Sequence, residues 1–420
     1  MTICAAAIRL TVGHRPLEGR VHGRAVAPSL GWQPSRSEAI VVAAARKPIE
    51  GVGEELNAAA AQNMDFAPAR RRVRDAFADV QGRLDHFLFK MAPTGIQMEE
   101  KTFTSLVYCM DVFACTYLIN AFYSCCIVHQ RYDINSKGVE IFCKSWLPKP
   151  GSACKAALFF CHGYGDTCTF FFEGRKCIAK RIADAGYAVF AMDYPGFGLS
   201  QGLHGYIPSF DGLVDQVIEQ YAIIRAMNRV KELNHFLLGQ SMGGAVALKV
   251  HLKQPDAWDG VLLVAPMCKI AEEVTPPGPV LKALSLMSYI LPEAKLFPQK
   301  DLGDLAFRDP MKRNTAEFNV ISYCDQMRLR TAVELIKATH DIESQLDKVC
   351  SPLLILHGAA DKVTDPKVSK FLYSKASTKD KTLKLYEEGY HAILEGEPDE
   401  RIASVIQDII SWLDSHSAMI

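Results

Sequence analysis

Ser241 sits in the run Leu237-Leu238-Gly239-Gln240-Ser241-Met242-Gly243-Gly244-Ala245-Val246. The leucines read as the end of an apolar strand. The alanine and valine open a helix-forming stretch. A serine at the tip of a sharp strand-to-helix turn has its Oγ pushed out where a substrate can reach it. Glycines two positions before and after, Gly239 and Gly243, permit the close approaches of such a turn. The helix N-terminus behind the serine favours negative charge on a reacting oxygen. The pattern G-x-S-x-G occurs by chance, and a bland glycine-rich turn is the competing reading. The strand before it and the helix after it favour a nucleophile.

A nucleophilic serine needs a base, and the base needs an orienting acid. Downstream of Ser241 stand His251, His340, His357, His391 and His416. His251 falls in the helix after the turn. His340 lies in a region that breaks the strand–helix alternation. His416 lies close to the C-terminus, in a tail expected to fray. His357 ends a strand, ahead of the loop that should carry the acid. His391 follows Glu387-Glu388-Gly389-Tyr390, in the loop after the last strand. In the chain order serine, acid, histidine, that is where the base belongs. The acid should follow the strand Leu353–Leu356, and both Asp361 and Asp365 do. Asp365 precedes Pro366 and a helical run, so it reads as a helix cap. Asp361 is left free to hold His391. An oxyanion needs two backbone N–H groups. Met242, next to the serine, supplies one. Tyr164, in the glycine-rich loop His162-Gly163-Tyr164-Gly165, supplies the other. His162 reads as structural, bonded within that loop.

Two further patterns carry less. His251-x-x-x-x-Asp256 matches an acyltransferase pattern but lies behind the turn, so it reads as incidental. Asp193-Tyr-Pro-Gly-Phe-Gly-Leu-Ser200 is a glycine-rich turn after a strand. No G-K-[ST] follows it, so it is no phosphate loop.

These residues need a scaffold, and from Gly138 on the sequence supplies one. Strands are expected at Val139–Trp146, Ala156–Cys161, Tyr187–Met192, His235–Gly239, Val261–Val264, Leu353–Leu356 and Leu383–Tyr386. Helices are expected over 174–185, from Asp211 to about Met227, and from about Arg401 to Leu413. Apolar strands alternating with helices mean an α/β fold with a mostly parallel sheet covered on both faces. Between Ala265 and Ser351 the alternation breaks, and a helical cap is expected at about 268–348. Val280, Leu281, Leu284, Met287, Ile290 and Leu291 recur there at helical spacing. That helix reads equally as core against the domain or as a lid that meets lipid.

Ahead of this domain, residues 1–65 read as a disordered or transit-like segment. Arg9, Arg15, Arg20, Arg24 and Arg36 meet only Glu18 and Glu38 over the first 45 residues. No long apolar run marks a secretory signal. Residues 66–130 read as an N-terminal helix plus an apolar insertion. Val73, Phe77, Val80, Leu84, Phe87 and Leu88 give the helix, over 68–90, one apolar stripe, opposite Arg71, Arg72, Asp75 and Arg83. Residues 103–128 carry a single charge, Asp111, and meet the length test for a membrane span.

The 420 residues are 49% hydrophobic and 22% charged, which allows a substantial core. A net charge of +0 argues against a nucleic-acid or polyanion partner. The 13 cysteines form no C-x-x-C pair, and Cys143, Cys161 and Cys268 fall in apparent strands and helices. Reduced, buried thiols of an intracellular protein fit this better than a disulfide framework.

Together these pieces resemble the monoacylglycerol lipase family of serine hydrolases. The likeness is strongest to plant members, which include caffeoylshikimate esterases. The matching pieces are His162-Gly-Tyr-Gly-Asp166, Asp193-Tyr-Pro-Gly-Phe-Gly-Leu-Ser200, Gly239-Gln-Ser-Met-Gly-Gly244, His357-Gly-Ala-Ala-Asp361 and Tyr390-His391. The resemblance implies an α/β-hydrolase fold over about 131–415 with a helical cap. It implies no metal or cofactor, and hydrolysis of a glycerol or other carboxylic ester. A monoacylglycerol is the leading substrate. Phenolic esters and lysophospholipids are the alternatives, and the resemblance does not choose among them. Two other classes stay open: a non-catalytic binding protein on the same fold, and an acyltransferase. A lipid or small ester is the expected partner, with membrane-surface contact through the cap. The expected placement is cytoplasmic or membrane-associated, with a chloroplast as the alternative carried by the N-terminal composition. The run from about Lys101 to Gln130 departs from the family, whose members are short there. It can be a span, a buried hairpin or a stretch foreign to the fold, such as a translated intron. The sheet is expected to begin near Val139, so residues 101–130 are expected to be dispensable.

Overall fold

The computed structural model of the protein describes residues 46–81, 126–168, 178–269, 278–297 and 303–417. Its sheet is built from β1 (Ile127–Ile134), β2 (Glu140–Leu147), β3 (Ala156–Cys161), β4 (Tyr187–Met192), β5 (Asn234–Gln240), β6 (Gly260–Val264), β7 (Leu353–Gly358) and β8 (Lys381–Tyr386). Across the sheet the order is β1-β2-β4-β3-β5-β6-β7-β8. β1 and β2 form an antiparallel pair, and β2 joins β4 antiparallel. From β4 to β8 every pairing is parallel.

The central strands are apolar runs because both of their faces are covered. Successive side chains of a strand point to opposite faces. Phe159, Leu237, Leu263 and Ile355 therefore pack on one side, against α4 (Phe210–Arg225) and α5 (Met242–Lys253). Leu158, Phe160, Leu238, Leu262 and Leu354 pack on the other, against α3 (Ile178–Asp184) and α10 (Asp399–His416). β3 pairs with both β4 and β5, so the chain reverses its direction of travel across the sheet there. Sites of open α/β sheets form beyond the strand C-termini at such a point. Ser241 stands there. Cys143, Cys161 and Cys268 are free and buried, and burial raises the thiols of Cys161 and Cys268 to about 12.

Three expectations need correction. The first concerns the N-terminal segment. Residues 46–65 are not a loose tail. α1 (Glu54–Ala60) is formed, Ile49 is buried, and the Arg46 guanidinium donates to the carbonyl oxygens of Val320 at 2.6 Å and Glu317 at 2.8 Å. The helix expected over 68–90 is shorter: α2 runs Ala67–Ala76, with a turn at Phe77 and helix again at 78–81. Val73 and Phe77 are buried as the stripe requires, while Leu84, Phe87 and Leu88 lie outside the described residues. The charged side is not simply solvated. Arg70 is buried and donates to the carbonyls of Gly198 at 2.5 Å, Ser200 at 2.6 Å and Met64 at 3.0 Å. Arg71 reaches Leu199 O and pairs with Glu140.

The second correction is the start of the sheet. Residues 127–134 form β1, which pairs antiparallel with β2 in a ladder that runs from Ile127 opposite Leu147 to Ile134 opposite Glu140. The remainder of the 103–128 stretch, up to residue 125, lies outside the described residues. Deletion of 101–130 would remove the first half of β1 and expose the backbone of β2 as a new edge. That variant is expected to fold poorly or to melt about 5 °C or more below the wild type. Deletion of 101–125 leaves β1 whole and is expected to keep full activity per mole. Thermal melts and ester turnover of the two proteins side by side check this. Equal behaviour of the two would show that β1 is expendable, and a dead 101–125 deletion would show that the stretch belongs to the core.

The third correction is His416. It ends α10, its ring stacks on Trp412 at 3.9 Å, and its Nε2 lies 3.1 Å from Asp380 Oδ2. It is part of a helix and not a frayed tail.

Between β6 and β7 lie α6 (Gly278–Ile290), α7 (Pro310–Ala316) and α8 (Leu329–Glu343). α6 packs against α8. α8 sends Leu335, Ala338 and Ile342 into the same core as α4 and α5, so the end of the expected cap belongs to the domain proper. α6 itself has Ser288 as its buried residue and leaves Leu286, Tyr289 and Ile290 largely exposed. Among the described residues no helix is long and apolar enough to cross a membrane.

Candidate active site

β5 ends at Gln240 and α5 begins at Met242, so Ser241 alone makes the turn. Its φ of 54° and ψ of −121° lie where a residue with a side chain is strained. Backbone bonds hold it there. Ser241 N–H donates to Val264 O at 3.0 Å, and Ser241 O accepts from Gly244 N and Met267 N, each at 2.9 Å. A Cβ on Gly239 would lie 2.4 Å from Gly243 O, and one on Gly243 would lie 1.9 Å from Cys161 O. The two glycines of the motif are thus required by contact, as well as by the turn.

The side chains singled out in the sequence come together. His391 Nε2 lies 3.0 Å from Ser241 Oγ, and His391 Nδ1 lies 2.7 Å from Asp361 Oδ2. Asp361 Oδ1 accepts the backbone N–H groups of Val363 at 2.7 Å and Thr364 at 3.0 Å. Burial alone would raise the Asp361 pKa. The hydrogen bonds from His357 and His391, with the charge those rings can carry, outweigh it and hold the carboxyl below its usual range. His391 Nδ1 faces an ionised carboxylate, so it carries the ring hydrogen. Nε2 is left with its lone pair toward Ser241 Oγ, the tautomer a general base requires.

Asp365 takes the other role. It caps α9 (Pro366–Lys375), accepting the Lys367 N–H at 2.8 Å. His162 is buried in its loop. Its Nδ1 donates to Gly163 O at 2.8 Å, its Nε2 accepts the Tyr194 N–H at 3.3 Å, and burial lowers its pKa to about 4. The loop carrying Tyr164 passes beside the serine, since a Cβ on Gly163 would stand 3.5 Å from Ser241 Cβ. Met242 opens α5, where a first-turn N–H has no acceptor within the helix. His251 sits in the last turn of α5 and accepts the Cys350 N–H at 3.3 Å, and His340 sits in the last turn of α8.

A family model described as Serine aminopeptidase, S33 (Hydrolase_4) matches residues 152–399, more than half of the chain, with Ser241, Asp361 and His391 inside the match. The chain belongs to this hydrolase family. It is 34% identical to the caffeoylshikimate esterase of Arabidopsis thaliana over 276 residues, covering 66% of this chain and 82% of that protein. It is 30% identical to the monoglyceride lipase of Homo sapiens over 292 residues, covering 68% of this chain and 90% of that protein. A solved structure of a soluble variant of Saccharomyces cerevisiae monoglyceride lipase, in complex with a substrate analog, matches with a TM-score of 0.61 at 20% identity. That match covers 70% of this chain and 97% of the other. At this identity the likeness speaks for the fold, which is that of an α/β-hydrolase.

Two side chains at the centre of this hydrolase have no local sequence signal. Thr364 Oγ1 lies 2.9 Å from Asp361 Oδ2, 3.1 Å from His391 Nδ1 and 3.2 Å from Ala265 O. It braces the acid and the base from a loop where a threonine is unremarkable. His357 also touches Asp361, at 3.0 Å. Its place four residues before the acid was visible in the sequence, but not its direction. Behind the site a third link joins the base loop to the elbow. Glu395, four residues after His391, accepts from Gln240 Nε2 at 2.7 Å. Burial raises Glu395 to about 8, and it raises Asp166, at the end of the Tyr164 loop, to about 7. The hydrolase therefore keeps acids with raised pKa values next to a triad whose own acid is held ionised. Among its described residues no group of three or more His, Cys, Asp or Glu side chains is placed to hold a metal ion.

Proposed function

We propose that the protein is a serine hydrolase of carboxylic esters, with a monoacylglycerol as its leading substrate. The hydrogen-bonded run from Ser241 through His391 to Asp361 carries this reading. In the proposed reaction His391 Nε2 takes the proton of Ser241 Oγ as that oxygen attacks the ester carbonyl. The N–H groups of Tyr164 and Met242 hold the oxyanion. The tetrahedral intermediate collapses, and His391 passes its proton to the departing alcohol. A water that gives its proton to His391 then attacks the acyl-enzyme. The acid leaves and Ser241 regains its hydrogen. Asp361 stays ionised throughout and stabilises the imidazolium.

The human relative named for monoglycerides and the exposed Leu286, Tyr289 and Ile290 of α6 support a lipid substrate. Those side chains would rest on a membrane or micelle surface while a monoacylglycerol enters under the cap. A second reading is a phenolic ester, favoured by the 34% identity to a caffeoylshikimate esterase. Turnover of a monoacylglycerol and of caffeoyl shikimate by the same purified protein separates the two. The expected result is a kcat/KM at least about tenfold higher for the monoacylglycerol, a difference of about 1.4 kcal/mol in transition-state binding. The opposite ratio makes the protein a phenolic esterase and leaves the triad as assigned.

A further inference from the structure

His357 is the penultimate residue of β7, and its ring and the Asp361 carboxylate are both buried. Both ring nitrogens have partners. Nδ1 lies 2.7 Å from the Ser369 hydroxyl of α9. Nε2 lies 3.0 Å from Asp361 Oδ2 and 3.0 Å from the carbonyl oxygen of Thr364. These contacts fix the hydrogen. Nε2 faces a carboxylate and a carbonyl, which only accept, so Nε2 donates. Nδ1 is then an acceptor, and Ser369 donates to it. The oxygen that His357 reaches is the same Oδ2 that His391 Nδ1 reaches at 2.7 Å. Two imidazoles converge on one carboxylate oxygen.

We propose that His357 is a positioning residue for the base, acting through Asp361. This rests on the triad reading above. Asp361 Oδ1 is tied to the backbone of Val363 and Thr364, and His357 with Thr364 Oγ1 fixes the rotation of Oδ2 toward His391. The second effect is electrostatic. Each donor on Oδ2 spreads the charge that would otherwise favour the imidazolium form of His391. The titratable groups that face this chain come from separate elements: His357 from β7, Asp361 from the loop after it, His391 from the loop after β8 and Ser241 from the elbow. Of the charged neighbours in sequence, Lys362 is exposed and Asp365 turns to the N-terminus of α9.

Two substitutions separate a positioning role from packing. In His357→Gln the amide nitrogen lies near the place of Nε2 and can donate to Asp361 Oδ2. In His357→Asn the amide lies near the place of Nδ1, reaches Ser369 and falls short of Asp361. The pH profile of kcat/KM is measured on a chromogenic short-chain ester, with a thermal melt of each protein. His357→Asn is expected to move the acid limb about one unit to higher pH and to lower kcat about tenfold, the scale of one hydrogen bond to a charged group. His357→Gln is expected to restore the wild-type limb and most of kcat. An Asn variant with the wild-type limb, or a Gln variant as shifted as Asn, overturns the proposal whatever the melts show. Fluorophosphonate labelling of wild-type Ser241 is run beside these. If Ser241 is not labelled, the triad reading falls and takes this inference with it. If Ser241 is labelled and the Asn limb is unmoved, this inference alone falls.

Discussion

Ser241→Ala is expected to abolish fluorophosphonate labelling and to lower ester turnover by about 10⁶, the scale of removing the nucleophile from a serine protease. The melting temperature should stay close to that of the wild type. Alanine keeps the Cβ that packs near Gly163, and the backbone bonds to Val264, Gly244 and Met267 do not involve the hydroxyl. The strain at φ 54° is the same for alanine as for serine, so the elbow gains nothing by relaxing. The lost atom is the one that lies 3.0 Å from His391 Nε2. Without it the base has no proton to take and the carbonyl has no attacking oxygen. Labelling retained at the wild-type rate would sink the assignment of Ser241. An unlabelled wild-type protein with no turnover would favour a non-catalytic binding protein on this fold. Acyl transfer to an added alcohol that outruns hydrolysis would make it an acyltransferase using the same serine.

The parts legible in the sequence were those set by local contact. β3 and β4 match their expected bounds because buried parallel strands are unbroken apolar runs with sharp ends. The elbow was legible because its glycines stand at fixed offsets from the serine, although the atom that excludes a Cβ at Gly243 is Cys161 O on β3. Asp365 was legible as a cap because Pro366 follows it. What stayed hidden depends on distant chain. β1 is an edge strand whose burial alternates only partly, and it carries His129, Gln130, Arg131 and Asp133. Its partner is β2, and nothing in residues 127–134 announces that. Arg70 has no local mark that separates it from its neighbours Arg71 and Arg72, and its burial depends on the distant carbonyls of Gly198 and Ser200. A fully buried arginine is uncommon, so burial was the poorer expectation from sequence. His357 was set aside because it precedes the acid in the chain. The bend of the loop from Gly358 to Thr364 turns that order into contact, with Asp361 N–H bonded back to Gly358 O at 3.2 Å.

Asp361→Asn is expected to lower kcat by about 10⁴, while Asp365→Asn leaves it within about twofold. Asp361 is surrounded by donors. Val363 N and Thr364 N point at Oδ1, and His357 Nε2 and His391 Nδ1 point at Oδ2. An asparagine has one oxygen to offer them. If its NH₂ takes the place of Oδ1, it faces two backbone N–H groups with nothing to accept its hydrogens. If the NH₂ takes the place of Oδ2, His391 must turn to the other tautomer, with Nδ1 accepting and Nε2–H pointing at Ser241. That tautomer cannot take the serine proton. The second arrangement keeps both backbone N–H bonds, and His357 Nε2 keeps its bond to Thr364 O, so the variant is expected to fold and to hold the wrong tautomer. The imidazolium also loses the charge that stabilises it. Substrate binding does not use Asp361, so KM should change little and the loss should fall on kcat. Asp365 differs because its work is to cap α9 through one hydrogen bond to Lys367 N, and asparagine caps nearly as well as aspartate. Steady-state kinetics of the two variants on one ester decide between the acids. A large loss in Asp365→Asn with Asp361→Asn near wild type would reverse the assignment, and equal small losses would mean that His391 keeps its tautomer without a carboxylate.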